Sequence, residues 1–342
     1  MALIYFTAGI NSAHRVQRWA KQLWHTHQRD QFFSGFQGEG TNNIVQLKAD
    51  FAKKAGYQMT EGLIMPFNSA GITGDSLLEE QEEAPDFHSM TWTIAQLRNA
   101  GRVAGEETTQ QVEYPLPAEI RDGLGEWMKE KRDEDIFTAV AGSCTKIMHV
   151  NARVSEATLV ATDLMTLADW SKCKTYARST ASPKIPPLKI TKVGQKTVYR
   201  YLCIMHDHVS YDLAINDPMY QQVTREAGRR GNENPLFSGA LIDWDGMFLF
   251  DHDNCAIFTG WGAVDTVYGA ESYLLGRQAV IVGVGGYRIE GKNGYLKWVE
   301  KKFDYDNQFG IAVGIIKGEA KSKYDSKDFS VVAYRSARTN VS

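Results

Sequence analysis

The sequence predicts an α+β fold, and three features of its patterning carry that expectation. A stretch at 117–142 has the apolar period of a long helix. Two strand-patterned stretches upstream of it, 57–67 and 87–97, are joined by residues 68–86, a connection far longer than the roughly two to five residues of an ordinary hairpin loop. From 236 to 335 the chain reads as successive strands, with turn pairs at Asp245-Gly246, Asn293-Gly294 and Asp325-Ser326. Runs of strands then follow helices without a regular βαβ alternation, which favours α+β over a doubly wound sheet.

Each element has its own justification. Residues 12–33 fit an amphipathic helix: Ser12 is a candidate cap, Val16, Trp19, Ala20 and Leu23 recur at helical spacing, and the glycine-rich SGFQGEG at 34–40 ends it. As the start of a chain, it reads as an arm rather than a core element. In the second strand Met90, Trp92 and Ile94 alternate with Ser89, Thr91 and Thr93, the two-residue period of a half-buried strand. In the long helix Pro117 suits the first turn and Glu119 the positive end of the dipole. Ile120, Leu124, Trp127 and Met128 form its apolar stripe, Ile136, Phe137 and Val140 resume it after a charged middle, and Gly142 stops it. A second helix is expected at 163–178 and a short one around 217–227. Between them lies a proline-led strand, a turn at Val193-Gly194-Gln195 and a second strand, TVYRYLCIM.

The bulk composition narrows the function. The 342 residues suffice for two ordinary domains or one large one, and 43% hydrophobic with 23% charged residues suits a soluble protein with a sizeable core. A formal charge of −3 speaks against a strongly basic, sequence-reading DNA binder. Cys144, Cys173, Cys203 and Cys255 are scattered without a C-x-x-C pair, as expected of free thiols in a reducing cytoplasm rather than of a zinc ribbon or a disulfide scaffold. The first residues, MALIYFTAGINSAHR, lack the leading positive charge of a signal peptide. No apolar run approaches the ~18 residues that span a bilayer, so no membrane partner is expected.

Two stretches invite chemical readings. AVIVGVGGYRIEG at 279–291 resembles a dinucleotide fingerprint, but Arg288 stands where its third glycine belongs, and the following residues alternate like a strand instead of opening a helix. It therefore reads as a strand. In MHDHVSYD, His206 and His208 would face one ligand if they sat on a strand, and DHDN at 251–254 would have to supply more. That leaves a metal-dependent enzyme using His206 and His208 as an alternative. There is no G-x-S-x-G, G-K-[ST] or H-E-x-x-H motif, so no catalytic, cofactor-binding or metal residue is assigned.

NENPLFSGALIDWDGMFLFDHDN (232–254), GRQAVIVGVGG (276–286) and KKFDYDNQFGIAVGIIKGEAKSKY (301–324) resemble successive blocks of a tailed-phage major capsid protein family, the podovirus-type coat family with an N-P-[IL]-F-x-G-A-L signature. FFSGFQGEG (32–40), GITGDSLLEEQEEA (71–84), RDGLGEWMKEKRDEDIF (121–137) and HDHVSYDL (206–213) follow the same order, and the resemblance covers roughly residues 12–335. One departure is local: the segment after His206 is more acidic and histidine-containing than in such relatives.

The resemblance implies an HK97-like fold with an N-terminal arm at 1–45, an extended loop at 48–110, and a peripheral domain at 111–199 built on a spine helix at 117–142. It further implies an axial domain at 200–297 and strands at 298–335 returning to the peripheral domain. It implies self-assembly into hexamers and pentamers of an icosahedral shell enclosing double-stranded DNA, in the host bacterial cytoplasm. Portal, scaffolding and decoration proteins would be partners, the DNA being touched without sequence preference. An encapsulin-like compartment shell is the alternative within this fold.

Charge patterning supplies a candidate joint. Residues 68–86 carry Asp75, Glu79, Glu80, Glu82, Glu83 and Asp86 without a Lys or Arg. From Ser171 to His206 the chain carries Lys172, Lys174, Arg178, Lys184, Lys189, Lys192, Lys196 and Arg200 without an Asp or Glu. The acidic tip of one copy is expected to dock on the basic segment of the next, the competing expectation being that the basic segment faces DNA phosphate.

Overall fold

The computed structural model describes residues 31–340 except 52–55, 66, 68, 76, 112–114, 194–195, 228–241 and 286–295. The helix predicted over 12–33, apart from its end, and the Asn293-Gly294 turn lie outside these residues. In chain order the strands are β1 (Gln37–Gly38), β2 (Val45–Phe51), β3 (Gln58–Ile64), β4 (Phe87–Thr93), β5 (Ala95–Arg102), β6 (Ile147–His149), β7 (Lys189–Val193), β8 (Lys196–Met205) and β9 (Ile242–Trp244). They continue as β10 (Met247–Asp251), β11 (Ile257–Trp261), β12 (Val267–Leu275), β13 (Val280–Gly285), β14 (Lys297–Phe303), β15 (Gln308–Lys321), β16 (Lys323–Tyr324), β17 (Lys327–Asp328) and β18 (Val331–Ala337). The helices are α1 (Glu106–Gln111), α2 (Leu116–Ala141), α3 (Leu167–Thr175), α4 (Asp207–Asn216) and α5 (Pro218–Ala227).

The described residues divide into two compact units, one drawn from 98–130 and 296–314, the other from 31–97, 131–285 and 315–340. In the smaller unit β14 pairs antiparallel with the first half of β15, from Lys297↔Gly314 to Phe303↔Gln308. Its turn holds three successive residues in the left-handed region, Asp304, Tyr305 and Asp306. The Arg102 guanidinium lies 4.4 Å from the centre of the Phe303 ring, and Arg121 pairs with Glu300.

The larger unit is organised around β8, whose Tyr201–Met205 are fully buried on both faces. Antiparallel β12 lies on one side of it and parallel β10 on the other, with Tyr201↔Met247 through Met205↔Asp251. A parallel pair needs a long crossover, and the residues between Met205 and Met247, α4 and α5 among them, supply it. Tyr201, Cys203 and Met205 pack with Leu167, Trp170 and Cys173 of α3, Leu274 of β12 and Tyr334 of β18 in one apolar cluster.

The predicted helix at 117–142 is α2, whose buried side chains Leu124, Met128, Ile136, Phe137 and Val140 fall on the expected stripe. The helix expected at 163–178 starts later, at Leu167, because Thr166 and Asp169 form a reciprocal capping box there. Asp163 instead gathers a loop, accepting from Asn151 Nδ2 (2.8 Å), Arg153 Nε (2.8 Å) and Val160 N (3.0 Å). The predicted strand pair at 189–205 is β7 and β8, in register from Lys189↔Arg200 to Val193↔Lys196.

Two readings need correction. β8 ends at Met205, so His206 and His208 do not alternate on a strand. His206 is the N-cap of α4, its Nδ1 accepting from the His208 N–H at 3.1 Å, and the two rings stack at 4.9 Å. The single strand expected at 87–97 is two, β4 ending at Thr93 and β5 running from Ala95 to Arg102.

The glycines of AVIVGVGG serve packing. β13 lies between parallel β2 and antiparallel β15, wholly buried. A Cβ at Gly283 would sit 1.9 Å from the Trp92 ring, and one at Gly318 would sit 2.0 Å from the Thr93 carbonyl oxygen. Both absences of a side chain let β4 lie directly on this sheet. Met90, Trp92, Ile281 and Tyr324 form a second apolar cluster there, with Met59, Leu63 and Phe329 against it. Gly318→Ala meets immovable backbone and should cost about 1–3 kcal/mol of unfolding free energy, and more than Gly283→Ala, where a ring can tilt. Denaturant titration of the two variants checks the order.

Candidate assembly surfaces

The 58–93 region forms a two-stranded finger, β3 against β4, with Gln58↔Thr93 through Ile64↔Phe87. Its faces differ. Met59, Glu61, Leu63, His88, Met90 and Trp92 turn inward, and Lys48 on β2 meets Glu61 at 3.3 Å. The outer face is polar, with the Thr60 and Thr91 hydroxyls 3.2 Å apart. At the far end the pattern changes: Ile64 and Phe87 face each other, and they, Phe67, Leu77 and Leu78 are each more than half exposed. The sequence reading weighed the charge of this tip and missed its apolar residues.

Among the acidic tip residues Asp75, Glu79, Glu80, Glu82 and Asp86 are exposed. Glu83 is partly covered and accepts the Ser69 N–H at 2.8 Å, and Asp86 lies 3.1 Å from His88.

The basic segment is partly neutralised within its own chain. Lys172 pairs with Asp169 at 2.8 Å, Lys174 with Asp245 at 2.9 Å and Arg200 with Asp243 at 3.0 Å. Arg178 lies over the Tyr199 ring at 4.0 Å. Lys184 and Lys189 are exposed, and the side chains of Lys192 and Lys196 lie outside the described residues. Lys174, Arg178 and Lys184 border an open groove of about 810 Å³ with Tyr199 and Asp245.

The structure does bring the two histidine-bearing segments together, since β8 and β10 are neighbours and the His252 N–H donates to the Met205 carbonyl at 2.9 Å. Among the described residues, however, no group of three or more His, Cys, Asp or Glu is arranged to hold a metal ion. No helix among them is long and apolar enough to cross a membrane.

A further contact went unread in the sequence. Asp133, in the charged middle of α2, is 4% exposed and accepts the Phe32 N–H at 2.5 Å and the Phe33 N–H at 3.4 Å. It thus caps, from a distant element, the 3-10 turn Phe32–Phe36, which has no side-chain cap of its own. The Phe32 ring lies 6.1 Å from Phe137, 5.6 Å from Phe250 and 5.2 Å from His252. Burial pushes the Asp133 carboxyl up, against the pull of the two N–H donors and His252. Asp133→Ala strands a buried and a part-buried donor and should lose about 1–3 kcal/mol of stability. Asp133→Asn, which keeps one acceptor, should lose less, and paired thermal melts read the difference.

Glu156 is a second electrostatic node. Burial raises its carboxyl, but donors including Arg335 and His149 outweigh this and bring it down to about 2 from the usual 4.5. Its contribution is therefore complete above the unfolded value and disappears as pH falls from about 4.5 to about 2. Glu156→Gln should flatten the loss of melting temperature across that window.

The family described as phage capsid protein matches residues 7–339. The chain is 25% identical, over an alignment 366 positions long that spans 92% of it and 93% of the relative, to the major capsid protein of Pseudomonas phage KPP25. Its structure resembles the capsid of Ralstonia phage GP4, with a TM-score of 0.82 at 22% identity and all of both chains covered. It also resembles the capsid of cyanophage Pam1, with a TM-score of 0.84 at 18% identity and 99% of both chains covered.

Proposed function

The chain belongs to the phage capsid protein family and is a phage major capsid protein with the HK97-like fold, and from that premise we propose that it encloses the double-stranded DNA of a tailed phage in an icosahedral shell of hexamers and pentamers. The N-P-L-F-x-G-A-L run at 234–241 supports a place in the podovirus-type branch. Residues 1–45 act as the arm, 48–110 as the extended loop, 111–199 with 298–335 as the peripheral domain and 200–297 as the axial domain. Portal, scaffolding and decoration proteins complete the shell, which assembles in the host cytoplasm.

The observation that carries this reading is the end of the finger. Ile64, Phe67, Leu77, Leu78 and Phe87 are all exposed on one narrow projection. Apolar groups grouped on a projection mark a contact surface, and a two-stranded ribbon is marginal alone. A neighbouring subunit supplies the missing cover. Asp75, Glu79, Glu80, Glu82, Glu83 and Asp86 beside them set register against Lys172, Lys174, Arg178, Lys184, Lys189, Lys192, Lys196 and Arg200 of that neighbour. Rim charges of this kind chiefly steer and orient, and the internal pairing of Lys172, Lys174 and Arg200 fits that modest part.

Two variants separate the contributions. Phe67→Glu with Leu78→Glu should abolish shells in electron micrographs while the subunit melts normally. Reversal of Glu79, Glu80, Glu82 and Glu83 to Lys should also block assembly, and normal shells from it would discard the basic partner. The isolated subunit, with its charge of −3, should bind duplex DNA only weakly at physiological salt. A tight complex that survives added salt would contradict nonspecific wall contact.

A further inference from the structure

The parallel neighbours β8 and β10 end side by side, and each is followed by a histidine. His206 follows Met205 and His252 follows Asp251, the last pair of their register. Both rings turn Nδ1 back on the chain: His206 accepts the His208 N–H and His252 the Asn254 N–H, each at 3.1 Å. A ring nitrogen accepts only while it carries no proton. Both bonds therefore require a neutral imidazole with its hydrogen on Nε2.

The two rings differ in what a proton would meet. His252 has a carboxylate at hand, with Asp253 Oδ1 at 3.2 Å from the accepting nitrogen. His206, 7% exposed, has a second imidazole instead, His208, stacked at 4.9 Å with 6° between the planes. His206 also caps α4, its carbonyl accepting from Val209 and Ser210 at 2.8 and 3.1 Å. Charge on its ring would stand at the positive end of that helix. Burial, then His208, hold the ring below histidine's usual 6.5. Arg338 beyond β18 acts in the same direction, and Asp207 on α4 and Asp253 after β10 act against it. The Cys255 thiol, near the same two carboxylates, is pushed up by burial and stays uncharged.

The end of the chain hangs on the same helix. Asp212 of α4, 1% exposed, accepts the Thr339 N–H at 2.8 Å. Arg338 donates its N–H to the Tyr268 carbonyl at 2.9 Å and lays its guanidinium over the Tyr268 ring at 5.3 Å. A positive ring at 206 would press on both Arg338 and the first turn of α4, and Asp212 ties the two together.

We propose that His206 is a pH-sensitive latch: neutral, it caps α4 and leaves Arg338 and Thr339 seated; protonated, it sets a donor against the His208 N–H, opens the first turn of α4 and frees those two residues. The open turn takes up the proton more readily than the closed one. The latch is therefore fully closed above about 6.5 and is lost as pH falls through the lower value of the closed state.

Hydrogen exchange of the full chain, read by mass spectrometry at about pH 7.5 and about pH 5 and corrected for the intrinsic pH dependence, tests it. In acid, peptides covering 207–213 and the residues after Ala337 should open about fivefold more, the size of a lost N-cap. Tyr201–Met205 of β8 should stay protected. His206→Asn keeps an acceptor and takes up no proton in this range, so it should stay closed at both pH values, whereas His252→Asn should respond like the unsubstituted chain. Equal protection of the unsubstituted chain at both pH values overturns the latch. So do opening that spreads evenly through β8, acid opening of His206→Asn, or loss of the response in His252→Asn. Should His206→Asn be open at both pH values, nitrogen NMR of the histidine-labelled chain decides. An unprotonated His206 Nδ1 that gains its proton in step with the opening supports the latch, and one already protonated at neutral pH refutes it.

Discussion

The finger depends on the close approach of β4 to the sheet of β13 and β15. Trp92 occupies the space a side chain at 283 would fill, and the Thr93 carbonyl occupies the space a side chain at 318 would fill. A side chain at 318 would push the ribbon's backbone away from its support, and one at 283 would displace the Trp92 ring. Without that clamp, β3 and β4 would be an isolated hairpin, which water tolerates poorly. With it, the base of the finger shares a core with Ile281, Tyr324 and Phe329, and its far end is free to present apolar groups at a fixed distance from the body.

The same division runs through the other exposed surfaces. Groups that fix geometry within the chain are buried and satisfied: Asp163 in its loop, Asp217 between α3 and α5, Asp133 under Phe32. Among the apolar groups left in water, five stand together at the finger end, Ile64, Phe67, Leu77, Leu78 and Phe87, while others such as Val154, Val264 and Tyr305 are scattered. A protein whose work is to adhere to copies of itself needs both classes, rigid supports and uncovered contact residues, in separate places. It has no need of a central cavity lined with convergent polar groups.

The sequence disclosed those elements in which one face is buried and the other wet. Met90 and Trp92 against Thr91 and Thr93 gave a strand, and the stripe from Leu124 to Val140 gave a helix, because burial in each case follows a single period. Helix α4 was illegible for the opposite reason. Val209, Tyr211, Leu213 and Ile215 alternate like a strand, although the alternation arises from two separate i, i+4 pairs on opposite sides of a helix. The polar AQLRNAGR of β5 shows neither period. Asp133 sat unremarked among the charges of EKRDED, since its partner is a backbone N–H with no side-chain signal to read. Family resemblance supplied the architecture, while the residues that make contacts between copies had to be sought on the surface.

The bond between Asp133 and Phe32 spans 101 positions of sequence, and every residue of the finger lies inside that interval. During synthesis the chain emerges N-terminus first, so Phe32 and the whole ribbon are out of the ribosome before Asp133 follows them. The turn at Phe32 is therefore fastened late, once the long helix has been made. A truncated product released before position 133 would lack both the carboxylate that holds Phe32 and the sheet of β13 and β15 on which the finger rests.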